Sequence, residues 1–119
     1  MTSHEFEDFL YSIGGLVNGN SKDKEIITTN LCECSEGWLE LISNLIAELI
    51  ATGWDKEVCQ IKEKLGGLRF YTNEASESLT AIITTYEQSS FNICEICGST
   101  KNVQLRNGKR LRSLCENHK

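Results

Sequence analysis

Two short pairs near the C-terminus carry the strongest chemical signal in the chain: Cys94-Glu-Ile-Cys97 followed by Gly98, and Cys115-Glu-Asn-His118. A C-x-x-C turn brings two sulfurs within reach of one ion, because the backbone N–H groups between them point at the sulfurs. A glycine just after the second cysteine supplies the backbone freedom such a knuckle needs. Three thiolates and one imidazole suit tetrahedral Zn2+. Four protein ligands would fill the coordination shell and leave no position for a water, so the ion is expected to be structural rather than catalytic. The bland alternative is a set of free thiols at a chain end. Three thiolates around one Zn2+ leave a formal charge of about −1, and Arg110, Arg112 and Lys119 are close enough in sequence to compensate it.

A second constellation lies upstream. Val58 to Tyr71 alternates as a β-hairpin, and Gly66-Gly67 has the composition of a two-residue type I′ loop. That register sets Lys64 opposite Arg69 and Lys62 opposite Tyr71, with Gln60 on the same face. Ile61, Glu63, Leu65, Leu68 and Phe70 then occupy the other face. Like charges side by side cost stability, so Lys62, Lys64, Arg69 and Tyr71 form a candidate site for a carboxylate or phosphate. A salt-bridge network within the chain is the explanation expected first, because charged hairpin faces are usually just solvated. Glu63, the odd residue on the apolar face, could reach one of these cations or a buried backbone N–H.

Other chemistry is sparse. Cys32, Cys34 and Cys59 are expected to be buried, inert thiols. Cys32-Glu-Cys34 ahead of a helix could instead have depressed thiol pKa values, or join His4 in a second metal site. No Ser-His-Asp set, P-loop or H-E-x-x-H occurs, so an enzyme finds little support.

These residues need elements to position them. Thr2 and Glu5 have the spacing of a capping box, and Phe6, Phe9, Leu10 and Ile13 form one helical stripe that Gly14-Gly15 ends. Residues 18–25 are polar loop, and Ile26 to Leu31 could be a short strand. A second helix follows Ser35, its candidate N-cap, with Trp38, Leu41, Ile42, Leu45, Ile46, Leu49 and Ile50 as an unbroken apolar face. A third carries Leu79, Ile82, Ile83 and Tyr86, capped by Ser76 or Asn73. Arg106-Asn-Gly-Lys109 looks like a hairpin turn able to bring the two ligand pairs together. The expected architecture is α+β: a small antiparallel sheet packed with about three helices, and a C-terminal zinc-knuckle or treble-clef-like hairpin. Residues 1–91 form the body and residues 92–119 a zinc module packed on it, one compact domain overall.

The chain has 119 residues, 39% hydrophobic and 24% charged, with six cysteines and no proline. Its apolar stretches fall well short of the ~20 residues of a membrane span, and no secretory leader opens it. The expected location is therefore a reducing cytoplasm, where clustered cysteines serve as metal ligands. Charge is uneven: residues 1–99 carry six Lys and Arg against sixteen Asp and Glu, a balance of −10. Residues 100–119 carry six cations against Glu116 alone, a balance of +5. A basic end on an acidic body could bind nucleic acid, dock on the body, or meet an acidic partner.

Cys34-Ser-Glu-Gly37-Trp38, then Gln60-Ile-Lys-Glu-Lys-Leu-Gly-Gly-Leu-Arg-Phe-Tyr71, then Cys94-Glu-Ile-Cys-Gly98 and Leu114-Cys-Glu-Asn-His118 occur in one order. This series resembles a family of small zinc-binding proteins of phages, prophages and bacteria that has no agreed activity. The resemblance spans residues 34–118. Members often carry a Trp-containing strand before the last zinc pair, where this chain has Lys109-Arg-Leu-Arg-Ser113. The resemblance implies an accessory protein that binds and inhibits a host protein in the bacterial cytoplasm, antiviral defence proteins among the targets.

Three readings follow. The leading one is a non-enzymatic, zinc-stabilised protein that modulates a host protein through its acidic body or through Lys62, Lys64, Arg69 and Tyr71. The second is a nucleic-acid-binding zinc module working through Arg106, Lys109, Arg110 and Arg112. The third is a nucleotide binder with the hairpin cations as phosphate cradle.

Overall fold

The computed structural model describes residues 1–119 and has the expected mixed α+β fold. The capping box forms: the Thr2 hydroxyl accepts the Glu5 N–H at 3.1 Å, and the Glu5 carboxylate accepts the Thr2 N–H at 3.0 Å. Helix α1 (Ser3–Ser12) starts there and buries Phe6 and Leu10. Gly14 and Gly15, both at positive φ, turn the chain into strand β1 (Leu16–Asn18). The strand expected over residues 26–31 shrinks to β2 (Ile26–Ile27), antiparallel to β1. Asn30 in the left-handed region (φ 51°) redirects the backbone, and β3 (Cys32–Glu33) pairs elsewhere.

Ser35 does not cap the second helix. It precedes a single 3-10 turn, Glu36–Trp38, without a side-chain capping bond, and helix α2 then runs Leu39–Ala51. The Glu36 carboxylate instead accepts the Ser3 N–H at 2.5 Å, tying that turn to the start of α1. Strands β4 (Glu57–Lys64) and β5 (Gly67–Thr72) form the antiparallel hairpin, and helix α3 (Glu77–Ser89) is capped by Ser76, whose hydroxyl accepts the Leu79 N–H at 3.2 Å.

The main sheet is mixed rather than purely antiparallel. β4 is central, with β5 along one side and both β1 and β3 parallel to it along the other. The cause is α2, which serves as the crossover from β3 to β4, and a crossover helix returns the chain in the same direction. Trp38, Leu39, Ile42, Leu45, Ile46 and Leu49 meet Ile61, Leu68 and Phe70 of the hairpin, Phe6 and Leu10 of α1, and Leu79 and Ile83 of α3 in one core of sixteen buried residues. None of the core comes from the opposite face of β4–β5, which carries Gln60, Lys62, Lys64, Arg69 and Tyr71. Along the outer side of β5, the Leu68 N–H donates to Ser90 Oγ (2.8 Å) and the Phe70 N–H to Glu87 Oε2 (2.9 Å).

The hairpin register differs from expectation. Observed partners are Lys64 with Gly67, Glu63 with Leu68, Lys62 with Arg69, Ile61 with Phe70 and Gln60 with Tyr71. The two-residue loop is therefore Leu65-Gly66, both at positive φ, and Leu65 projects into solvent instead of joining the apolar face. Gly67 is needed as a strand residue: a Cβ there would collide with the Phe91 ring. The partners slip by two residues, so the expected faces survive while the opposed pairs change.

At the C-terminus, β6 (Gln104–Asn107) and β7 (Leu111–Leu114) form a separate two-stranded sheet. Its loop is Gly108-Lys109-Arg110, one residue later than the expected turn, because Asn107 still pairs with Leu111. No helix is long and apolar enough to cross a membrane.

Candidate metal centre

Each ligand is delivered by a short, locally determined piece of backbone. The 3-10 turn Ser90–Asn92 ends α3 and leads into Cys94. The Cys94 N–H then donates to the Ser99 carbonyl (2.9 Å), and the Gly98 N–H returns to the Cys94 carbonyl (2.8 Å). Gly98 makes that return at φ +80°, in the left-handed region. On the other side β7 presents Cys115, and the 3-10 turn Glu116–His118 brings the imidazole back.

Cys94, Cys97, Cys115 and His118 place their ligand atoms within 4.8 Å of one another. Cys97 Sγ lies 3.7 Å from Cys115 Sγ, and His118 Nδ1 lies 3.2 Å from Cys115 Sγ and 3.8 Å from Cys94 Sγ. A tetrahedral ion with metal–sulfur bonds of about 2.3 Å has S···S edges of about 3.8 Å and S···N edges of about 3.5 Å. The donor set therefore fits one four-coordinate ion, and it is compatible with structural zinc. Burial pushes the Cys94 thiol up, but the backbone N–H groups of Cys115, Cys97 and Ile96 favour its thiolate and draw it down to about 6. The Ser99 N–H favours the thiolate at Cys97, yet desolvation and the neighbouring sulfurs of Cys115 and Cys94 outweigh it and raise that thiol. Sulfurs this close compete for charge until a cation sits among them.

The centre is fastened to the body through residues that spacing alone did not single out. The Trp38 indole N–H donates to the Ile93 carbonyl (2.9 Å), and the Gly37 N–H to the Glu95 carbonyl (2.9 Å). A Cβ at Gly37 would overlap the Cys94 carbonyl oxygen. The Glu95 N–H bonds the Ser113 carbonyl (3.0 Å), and the Ser113 hydroxyl donates to Gly66 O (2.6 Å). Glu95, only 2% exposed, accepts from Arg112 Nε at 2.5 Å. The one sequence signal for this fastening is that Gly37-Trp38, Gly66 and Glu95 belong to the motif series; nothing local marks Ser113.

Most basic residues of the C-terminal segment are paired with carboxylates of the chain. Arg110 pairs with Glu63 (3.0 Å), Arg112 with Glu95, and Lys119 with Glu116. Their partners are carboxylates rather than the thiolate cluster. Arg106 donates to the carbonyls of Leu114 (3.0 Å) and Asn102 (3.3 Å) and reaches Glu116 at 3.5 Å, while Lys109 has no ion-pair partner. Glu63 finds the backbone partner considered for it, accepting the Gly66 N–H at 2.8 Å, but its cation is Arg110 rather than a residue of the hairpin.

Lys62, Lys64, Arg69 and Tyr71 do share the open face of β4–β5, with Lys62, not Lys64, opposite Arg69. Neither lysine nor Arg69 takes part in an ion pair, so the expected salt-bridge network does not exist. Cys32, Cys34 and Cys59 are half-buried rather than buried, and Cys59 donates to Asn73 Oδ1 at 3.2 Å. Of the Cys32–Cys34 pair only one thiol is depressed. Their mutual hydrogen bond lowers Cys34 and, together with burial, raises Cys32. His4 is exposed beside Asp8 (3.7 Å), and the only metal-competent Cys/His group is the C-terminal one. The chain matches no family model, no curated protein and no solved structure.

Proposed function

We propose that this chain is a non-enzymatic binding protein in which a structural Zn2+ fastens the C-terminal segment to the body and the free face of the sheet receives an acidic surface of a partner protein. The carrying observation is that Lys62, Lys64 and Arg69 stand together on that face beside exposed Tyr71 with no carboxylate of the chain within 4.0 Å. Clustered cations without an ion-pair partner steer and orient an acidic partner, and an amphipathic tyrosine among them suits a protein contact. Four donors around one ion support a structural role, because no position is left for water. The resemblance of the motif series to small phage and prophage proteins favours a host protein as the partner, antiviral defence proteins included, met in the cytoplasm of a bacterial cell.

Elemental analysis of the purified protein tests the ion, with one Zn2+ per chain expected. Affinity capture from bacterial lysate, read by mass spectrometry, tests the face. Wild type should retain a partner that the Lys64→Glu/Arg69→Glu variant loses. If nothing is retained, or both retain the same protein equally, the assignment fails.

A further inference from the structure

The C-terminal hairpin holds a second group of cations that the contact face does not use. Arg106 and Arg112 are direct partners across β6–β7, and Lys109 and Arg110 follow in the loop between those strands. With Lys119 these residues line a groove of about 730 Å3 that no carboxylate lines. Pockets of about 300–1,000 Å3 hold small ligands. Two arginines directly opposed on a strand pair repel each other. The fold braces them instead of separating them: Glu116 holds Arg106, Glu95 holds Arg112 and Glu63 holds Arg110. None of these three carboxylates lines the groove.

A guanidinium has five N–H donors in a rigid fork. Arg112 commits its Nε to Glu95 and Arg110 its Nη1 to Glu63, so most of their donors are left over. Lys109 commits nothing to an ion pair within the chain. Planar forks held in place match phosphate oxygens bidentately. We propose that this groove binds a chain of linked phosphates, recognised through its charge and spacing alone. No aromatic side chain lines it to stack a base, and Leu114 is the one apolar residue there. A nucleic-acid backbone and inorganic polyphosphate present the same chemistry to such a groove. The acidic remainder of the chain, −10 over residues 1–99, confines the approach of any polyanion to this end.

Fluorescence anisotropy on the full-length, zinc-loaded protein with labelled short oligo-dT and oligo-dA tests the site. The two oligonucleotides should bind about equally, with a log K against log salt slope of roughly −0.7 per phosphate contact. Inorganic tripolyphosphate should displace them, and orthophosphate at equal phosphate concentration should not. The Lys109→Glu/Arg110→Glu variant should weaken binding by roughly tenfold or more, as the loss of several phosphate contacts requires. Lys109→Glu/Lys119→Glu, which leaves the Arg110–Glu63 contact intact, should do the same with zinc content unchanged. Lys62→Glu/Lys64→Glu should have little effect. The assignment is overturned by absence of binding at low salt, by a strong base preference, by failure of tripolyphosphate to compete, or by equal loss in the Lys62/Lys64 variant.

Discussion

Leu65 stands at the first central position of the β4–β5 loop in the left-handed region (φ 54°) and is 64% exposed. A side chain with a Cβ strains that conformation, which glycine and asparagine tolerate. Leu65→Asn should therefore raise stability by about 0.5–1 kcal/mol, read as a higher urea midpoint at unchanged slope. Gly37 is the opposite case. An added methyl would meet the carbonyl groups of Cys94 and Glu95, which are backbone on the turn that carries Cys94 and Cys97 and cannot swing away. Gly37→Ala should cost about 3 kcal/mol or more, and the variant should surrender its metal to a competing chelator well before wild type does. Gly108→Ala is the control: its Cβ would meet nothing within 4 Å, so both readings should stay near wild type.

Among the elements, the junction between the β6–β7 hairpin and the body depends on the pair of buried Glu95 with half-buried Arg112. Glu95→Ala should destabilise the protein by about 1–3 kcal/mol in chemical denaturation, because the charge-assisted hydrogen bond that Glu95 accepts from Arg112 is lost. Glu116→Gln, at an exposed pair with Lys119, should leave the urea midpoint close to that of wild type. The same scale shows what the sequence made legible. The grouping of Cys94, Cys97, Cys115 and His118 followed from spacing, and the helices from apolar stripes with the Thr2 and Ser76 caps, because both signals are local. The hairpin slipped because Gly66-Gly67 looks like a turn, whereas Gly67 is required by Phe91, twenty-four residues away. Ser35 looks like a helix cap, yet the Glu36 carboxylate is claimed by Ser3 and the segment tightens into a 3-10 turn. The parallel strands were hidden as well: β1 and β3 have three and two residues, too few for any periodicity to register.

For the molecule as a whole, the segments of the motif series meet in one place. Gly37 and Trp38 seat the Ile93–Glu95 backbone, and Gly66 receives Ser113 from the strand that leads into Cys115. Outside the main core the buried apolar residues are only Cys94, Leu114 and Cys115, with Val103 partly buried against them, so the C-terminal segment has little apolar area of its own, and an ion held there would couple its binding to the folding of that segment. Chelation should release it first. In hydrogen exchange, amides of residues 92–119 should lose protection when the metal is stripped, while those of α2 and the β4–β5 hairpin, anchored in the sixteen-residue core, should keep theirs. Simultaneous loss across both regions would show that the ion supports the entire chain. The side chains of Ser90 and Glu87 also occupy the Leu68 and Phe70 amides, two of those through which a neighbouring molecule would otherwise add a strand to β5. Fibril-like stacking is thereby blocked along that flank, and a concentrated solution is protected from templated aggregation there by two hydrogen bonds that α3 and its 3-10 extension already supply.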